Sequence, residues 1–370
     1  MQNKGDFKKN MKIKTEELLR LVNIAYKAVG NNKLIPITQM IGVKLNEGKL
    51  ILGATDSFNT LYIGSKVEDA SESIDVCINA DLISKLVSKF TCEFTKLELK
   101  ENYLLVVGNG EYKLDLLLDD EGKAFKFPNK EVNPDASIQE IENKKIIDMK
   151  NYGEKSLAQT MEEPDLIAYY VNNDYAISTD RNIMTVINNQ YSNIPLTLRS
   201  KFVELFTIMK EKVKLSTWKN QTTGEINLFA TDDEIKLFSK VNGNVEDYPY
   251  EAIKNLVDTS EFKINAKINV KDLLAVLDRI SLFVTPYDSN VIDIHLSDGK
   301  LFISSIKATG VEVVKLNNLS NNESWEGKID VEMLSGQLNS FNKEEIDIYF
   351  GECIKLVEDN VVKLICLCEE

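Results

Sequence analysis

The spacing of apolar positions along the chain changes repeatedly, and the changes recur in the same order. Over residues 34–56 (LIPITQMIGVKLNEGKLILGATD), Met40, Val43, Leu45, Leu50 and Leu52 alternate with polar positions on either side of Asn46-Glu47-Gly48. This is the pattern of two half-buried strands joined by a tight turn, with Gly48 where a hairpin needs positive φ. The segment stops at Thr55-Asp56. Residues 166–180 (LIAYYVNNDYAISTD) repeat the plan around Asn172-Asn173-Asp174 and stop at Thr179-Asp180. Residues 290–305 (NVIDIHLSDGKLFISS) repeat it again around Ser297-Asp298-Gly299. The turns stand 126 residues apart from Gly48 to Asp174, and 125 from Asp174 to Gly299.

Between the hairpins the period shifts to that of helices. Helices are predicted over residues 15–29, 80–90, 143–158, 198–210, 270–283 and 330–341. The first has Thr15 as N-cap, Glu16 and Glu17 in its first turn, and Gly30 past its end. Its stripe is Leu18, Leu21, Val22, Ala25 and Val29; the second is capped by Asn79 and carries Leu82, Ile83, Leu86, Val87 and Phe90. The pairs Leu18-Leu19, Ile146-Ile147 and Leu273-Leu274 keep register, 128 and then 127 residues apart. Further strands are predicted at 61–67, 74–78, 96–99, 103–107 and 112–118, at 213–217, 225–231 and 235–241, and at 345–350, 354–357 and 361–368. Polar stretches containing proline, 129–136 and 242–254, read as connectors. The chain therefore divides into an extension, 1–10, and three α+β units, 11–136, 137–259 and 260–370, each of ordinary domain size. The period is far too long for a solenoid.

Composition narrows the class. With 43% hydrophobic residues and no apolar run long enough to span a bilayer, the 370-residue chain reads as a globular protein with real cores. The N-terminus, MQNKGDFKKN, has no apolar core and is not a secretory signal. Five cysteines are an odd number with no disulfide spacing, which suits reduced thiols in a cytoplasm. Cys366 and Cys368 share a strand face, but the single histidine, His295, belongs to another strand, so no metal and no cofactor is expected. A net charge of −14 argues against an open basic surface for nucleic acid. It leaves room for a protein that meets DNA through one locally basic face, or encloses it.

No catalytic motif is present. The chain lacks a phosphate-cradling Gly-x-x-x-x-Gly-Lys-Ser/Thr, a His-Glu-x-x-His and a nucleophile elbow. Gly108-Asn109-Gly110 reads as a turn, and Asp119-Asp120 and Asp232-Asp233 as solvated turns. A metal-dependent nuclease built on those acids is the enzyme class that this reading weighs and sets aside.

With these residues in order, the chain resembles the bacterial sliding clamp, the β subunit of DNA polymerase III. The resembling stretches are MKIKTEELLRLV, LIPI…LNEGKLILGATD, STDRNIMTV, NGNVEDYPY, DLLAVLDRISLF…SDGKLFISS and EEIDIYFGECIKLV. The resemblance runs from Met11 to Glu370. It implies an α+β fold of three clamp units, each with two helices packed on antiparallel sheets, and two chains joined head to tail in a ring of six. It implies no catalysis: such clamps encircle duplex DNA without sequence preference and tether DNA polymerase, the clamp loader and other replication or repair proteins. Divergence suggests a phage or mobile-element source. A clamp-derived scaffold that binds partner peptides without encircling DNA is the alternative.

The resemblance also assigns sites. The helices, slightly richer in basic than acidic residues, would face DNA through Arg20, Lys27, Lys85, Lys89, Lys144, Lys145, Lys150, Arg199, Lys201, Lys271 and Arg279, with Lys33 beside the first. Partner peptides would enter a pocket at Leu166, Thr179, Arg181, Met184, Tyr250, Leu364, Cys366, Leu367 and Cys368. The dimer would form through Tyr112 and Leu114 on one side and Leu282 and Phe283 on the other. Two departures fall in the pocket. The family's Ala-Thr-Asp-Gly-His-Arg-Leu becomes Ser178 through Met184, and its Met-Pro-Met-Arg-Leu ending becomes CLCEE.

Overall fold

A computed structural model describes residues 10–67, 70, 73–160, 162–284, 290–307 and 309–368, and it writes one order of elements three times. The first pass is β1 (Asn10–Lys14), α1 (Thr15–Tyr26), β2 (Met40–Asn46), β3 (Lys49–Thr55), β4 (Thr60–Lys66), β5 (Ile74–Asn79), α2 (Ala80–Val87), β6 (Phe94–Leu99), β7 (Tyr103–Val107) and β8 (Glu111–Asp115). The second is β9 (Ser137–Glu142), α3 (Asn143–Gly153), β10 (Ala168–Val171), β11 (Tyr175–Thr179), β12 (Ile183–Asn188), β13 (Leu196–Arg199), α4 (Ser200–Phe206), β14 (Lys212–Lys219), β15 (Ile226–Thr231) and β16 (Ile235–Lys240). A helix in the connector, α5 (Tyr250–Thr259), precedes the third. That pass is β17 (Phe262–Asn269), α6 (Val270–Ser281), β18 (Val291–Ser297), β19 (Lys300–Ser305), β20 (Val311–Lys315), β21 (Trp325–Asp330), α7 (Val331–Leu338), β22 (Glu345–Gly351), β23 (Cys353–Glu358) and β24 (Val361–Cys366).

Every strand pair is antiparallel, and four sheets result. Two have four strands, β1-β6-β7-β8 and β20-β19-β18-β21; two have eight, β5-β2-β3-β4-β16-β15-β14-β9 and β13-β10-β11-β12-β24-β23-β22-β17. Each eight-stranded sheet is a fusion of successive repeats. The fourth strand of one repeat pairs with the last strand of the next, β4 with β16 and β12 with β24. The first seam sets Ile63 opposite Ile235 and Leu61 opposite Leu237. The second sets Ile183 opposite Ile365 and Met184 opposite Leu364.

By compactness the chain forms two units. The first runs to Asn143 and includes Glu204–Lys240; the second is Lys144–Val203 with everything from Val241. In the first, α1 packs on α2 and reaches strands of both sheets, β3 and β4 on one, β1 and β6 on the other. Its stripe of Leu18, Leu21, Val22 and Ala25 is buried there. In the second, α6 packs on α7 and on β17, β19 and β20, while α7 reaches β21 and β24.

The three predicted hairpins form, with turns of two kinds. Glu47 and Gly48 both have positive φ (49° and 72°), as do Asp298 and Gly299 (50° and 72°), the geometry that matches strand twist in a two-residue loop. The middle turn instead is closed by Asn172, whose Oδ1 accepts from the backbone N–H groups of Asp174 (2.8 Å) and Tyr175 (2.9 Å).

Several expectations are corrected. Asn10 belongs to β1, opposite Glu98, and is no loose extension; residues 1–9 lie outside the described residues, as does the Glu369-Glu370 end. Thr15 is the first helical residue, not the cap, because its hydroxyl is committed to Thr95 at 2.9 Å. The first strand of the opening hairpin starts at Met40, since Pro36–Gln39 forms a 3-10 turn. Residues 196–199 are strand, which shortens the fourth predicted helix to Ser200–Phe206. Helix α5 occupies what reads as a connector.

One buried charge organises the helix side of the second unit. On β24, Leu364 joins an apolar cluster while its neighbour Lys363, fully buried, turns toward the helices. Its ammonium donates to the Tyr152 carbonyl (2.6 Å), Gln337 Oε1 (2.7 Å) and Ser340 Oγ (2.6 Å). These three acceptors use all three N–H bonds and tie α3, α7 and β24 together. Burial pulls the Lys363 pKa down to about 7. An unfolded lysine titrates near ~10.4, so between those values the unfolded chain binds the extra proton. The site therefore opposes folding at and below neutral pH, and that penalty shrinks as pH rises. Urea unfolding from pH 7 to pH 9.5 should show the stability of the wild type rising relative to Lys363→Met; parallel pH profiles would contradict this.

Candidate functional site

The second unit gathers aromatic rings around the β12–β24 seam. Leu166, Tyr170, Ile177, Met184, Val186, Tyr248, Ile253, Cys353 and Leu364 form one buried cluster, with Tyr175, Tyr250 and Phe262 packed against it. Strand alternation explains the membership: Tyr170 on β10 and Ile177 on β11 are cross-strand partners, as are Met184 and Leu364 across the seam. The Tyr170 ring stacks on Tyr250 at 4.8 Å and 5°, on Tyr248 at 5.3 Å, and on Tyr175 at 6.4 Å. Offset stacking of this kind adds about 0.5–1.5 kcal/mol per pair beyond burial. Burial pushes the Tyr170 phenol up to about 12 and Tyr248 higher still, so the rings stay neutral.

A polar turn stands beside the cluster. Thr179 Oγ1 donates to the Ile183 carbonyl (2.7 Å) and accepts from the Arg181 N–H (2.9 Å), while Asp180 Oδ1 accepts from the N–H groups of Asn182 and Ile183. These bonds hold Arg181 at φ 79°, left-handed backbone that favours glycine. The Arg181 guanidinium extends to Glu163 at 2.8 Å. The Cys366 thiol reaches the Arg181 carbonyl at 3.7 Å, and its N–H donates to Asn182.

The structure thus brings Leu166, Met184, Tyr250 and Leu364 together, with Thr179, Arg181 and Cys366 at the adjoining turn. Leu166, Thr179, Met184 and Leu364 are themselves buried. Leu367 and Cys368 lie elsewhere: Leu367 approaches Gly327, and the Cys368 N–H donates to Lys328, along β21. Tyr170, Tyr175 and Tyr248 escaped sequence reading, although the adjacent tyrosines of β10, the tyrosine that opens β11 and an aromatic-proline step in the connector were visible.

Burial holds the thiols protonated, Cys353 at about 11 and Cys366 and Cys368 above their ordinary range, so none is an activated nucleophile. Asp119 and Asp232 are spent inside turns, accepting backbone N–H groups of Glu121 and Lys123, and of Lys210, Glu234 and Ile235, respectively. Among the described residues no three His, Cys, Asp or Glu side chains group as metal ligands would, and no helix is long and apolar enough to cross a membrane.

The helix-borne cations are mostly paired. Arg20 meets Glu17 (2.9 Å) and Glu234 (2.6 Å), and Arg279 grips Glu312 with two bonds. Lys85, Lys144, Lys150 and Lys271 pair with Asp81, Asp148, Glu154 and Glu344. Lys145 donates to the Gln190 carbonyl, and Lys27, Lys33 and Lys89 are exposed. Arg199 ends β13, and Lys201 lies half-buried in α4.

Strands β8 and β20 each end a four-stranded sheet. Tyr112 on β8 is exposed and packs on Phe90 at 5.5 Å, while Leu114, 2% exposed, is buried within its own chain. Leu282 is 80% exposed, and Phe283 lies over Gly310 next to β20, whose Val311 and Val313 are also exposed.

Three repeats of this element order, fused through eight-stranded sheets, define the DNA clamp class of fold. Residues 9–124 match the family described as DNA polymerase III beta subunit, N-terminal domain, so the resemblance read from the sequence holds for that stretch. The fold of the whole chain is that of solved bacterial clamps. It is similar to the DNA polymerase III beta subunit of Thermotoga maritima (15% identity, TM-score 0.83, 98% of this chain and 99% of that one). It is also similar to the beta subunit from DNA polymerase of Streptococcus pyogenes (13%, TM-score 0.84, 98% and 100%). A Pseudomonas aeruginosa sliding clamp solved bound to griselimycin is another (17%, TM-score 0.83, 98% and 99%). No curated protein sequence matches the chain.

Arg181 stands at the glycine of the family's turn, in glycine's conformation. A left-handed non-glycine residue costs roughly 1–2 kcal/mol, whereas an exposed pair such as that with Glu163 contributes little. Arg181→Gly should therefore stabilise the protein by about 1 kcal/mol, seen as a raised midpoint in thermal unfolding; an unchanged or lowered midpoint would refute the strain.

Proposed function

We propose that the protein is a non-catalytic processivity clamp, a homodimer that encircles duplex DNA and tethers polymerase and loader subunits through short peptides. The observation that carries this reading is the pairing rule at the seams. The fourth strand of a repeat pairs with the last strand of the following one: β4 with β16, β12 with β24. The same rule leaves the fourth strand of repeat three, β20, and the last strand of repeat one, β8, as open edges. Applied once more between two chains, it joins β20 of one to β8 of the other, twice, and closes a head-to-tail ring of six repeats. Exposed Val311, Val313, Leu282 and Phe283 beside one edge and Tyr112 on the other supply apolar cover for such a contact. Long apolar edges left open would invite aggregation.

Within that ring the three repeats act as domains, 11–136, 137–259 and 260–370. Topology holds the DNA, so the helices need only weak, sequence-blind phosphate contacts. The paired cations suit this role. Exposed ion pairs are worth about 0–1 kcal/mol, so passing phosphates exchange with the carboxylates at little cost and do not arrest sliding. The tyrosine-lined cluster and its Thr179–Met184 turn would take the partner peptide, an apolar segment seated at an inter-strand junction.

Light scattering should give about 84 kDa, twice the 41.9 kDa of one chain, and Val311→Lys with Val313→Lys should reduce it to the monomer. Loaded clamp should remain on nicked circular DNA and be lost when the circle is cut. A stable wild-type monomer, or retention indifferent to linearisation, would favour a scaffold that does not encircle DNA.

A further inference from the structure

The first unit contains an open counterpart of the tyrosine cluster. A cavity of about 120 Å³ lies at the β4–β16 seam, with Ile51, Tyr62, Phe127 and Phe238 as its apolar lining. The chain after β8 straps this face. Phe127 lies on the bare backbone of Gly42 and Gly53, where a Cβ would meet its ring at 2.3 and 2.7 Å, and Tyr62 donates to the Pro128 carbonyl at 2.6 Å. The Thr55-Asp56 stop and the Thr179-Asp180 stop align 124 residues apart, which carries Gly53 onto Ile177 and, through their cross-strand partners, Gly42 onto Tyr170. The straps correspond as well, Phe127-Pro128 with Tyr248-Pro249. Where the second unit has Tyr170 stacked on Tyr248 and Tyr250, the first has Gly42 beneath Phe127, and the cavity opens beside that ring.

Charge decides what fits. Four lysines rim the cavity: Lys44, Lys49, Lys130 and Lys236. None forms an ion pair among the described residues. The two acids on the rim are already neutralised, Glu234 by Arg20 (2.6 Å) and Lys210 (3.3 Å), Asp233 by Lys214 (3.9 Å). The volume is of the order of a cavity that accepts benzene, about 150 Å³, so one leucine or a small ring fills it.

We infer that the β4–β16 cavity is a second docking site, for an acidic partner peptide that anchors one apolar side chain between Ile51 and Phe127 and sets carboxylates on the rim lysines. The inference rests on the reading of the tyrosine cluster as a peptide site, and the test separates the two. A fluorescein-labelled peptide with one leucine between pairs of aspartates is titrated into the full-length protein by anisotropy. Binding is expected to weaken about tenfold with added salt, to fall by a similar factor in Lys49→Glu with Lys236→Glu, and to survive Met184→Arg. Hydrogen exchange should show peptide-dependent protection over residues 44–51 and 125–130. Absence of binding to the wild type, or loss in Met184→Arg with the lysine variants unaffected, overturns the proposal. A chain that binds the peptide through Lys49 and Lys236 yet fails the topological retention assay would sink the clamp reading and leave this site standing.

Discussion

Backbone hydrogen bonds between β4 and β16, and between β12 and β24, hold the repeats together. At each seam a strand that would otherwise be an open edge, with a row of unpaired N–H and C=O groups, is satisfied by the following repeat. The apolar residues beside the ladder then interlock: Ile63 faces Ile235 and Leu61 faces Leu237 in one seam, Ile183 faces Ile365 and Met184 faces Leu364 in the other. Satisfying buried backbone polar groups is obligatory, so a fold built on this rule acquires direction. The rule leaves β8 and β20 without a partner repeat, and the proposed second copy would supply one.

The seams also set where chemistry collects. A strand ladder between two repeats brings the hairpin of one, the last strand of the next and the connector that links them to a single place. In the second unit that place is packed with tyrosine rings and flanked by a turn whose arginine sits in left-handed backbone. In the first unit the same construction has glycines under Phe127 and lysines on the rim. The two seams thus share strand topology and differ in side chains. On the opposite face of β24, the buried Lys363 amine reaches Tyr152, Gln337 and Ser340 and ties the helix layer to the strand.

Much of this was legible in the sequence because hairpins announce themselves. The Asn-Glu-Gly and Ser-Asp-Gly turns need positive φ and have it at Glu47-Gly48 and Asp298-Gly299, and even the Asn172 turn is built by a side chain suited to the task. Helices α1, α2 and α6 follow their apolar stripes closely. Seven strands escaped: β12 and β20, which follow the second and third hairpins, and β1, β9, β13, β17 and β21, which run straight into helices with no glycine or proline between. At such a junction the period changes from two to 3.6 within one residue, and a short strand with half its faces polar leaves too little pattern. Arg199, read as helical, is the last residue of β13 for this reason. Of the candidate pocket, the residues drawn from the Thr179 turn and β12 came together. Leu367 and Cys368 did not, because the chain leaves β24 after Cys366 and turns toward β21. Tyr112 and Leu114 share one face of β8; Leu114 is buried in its own core, while the longer Tyr112 stays exposed.

The account stands on the pairing rule continuing from within a chain to between chains. Negative-stain electron microscopy of the purified full-length protein tests that directly. Class averages should show a closed ring of six lobes around a central opening. Averages showing single three-lobed particles, or open chains of them, would contradict it.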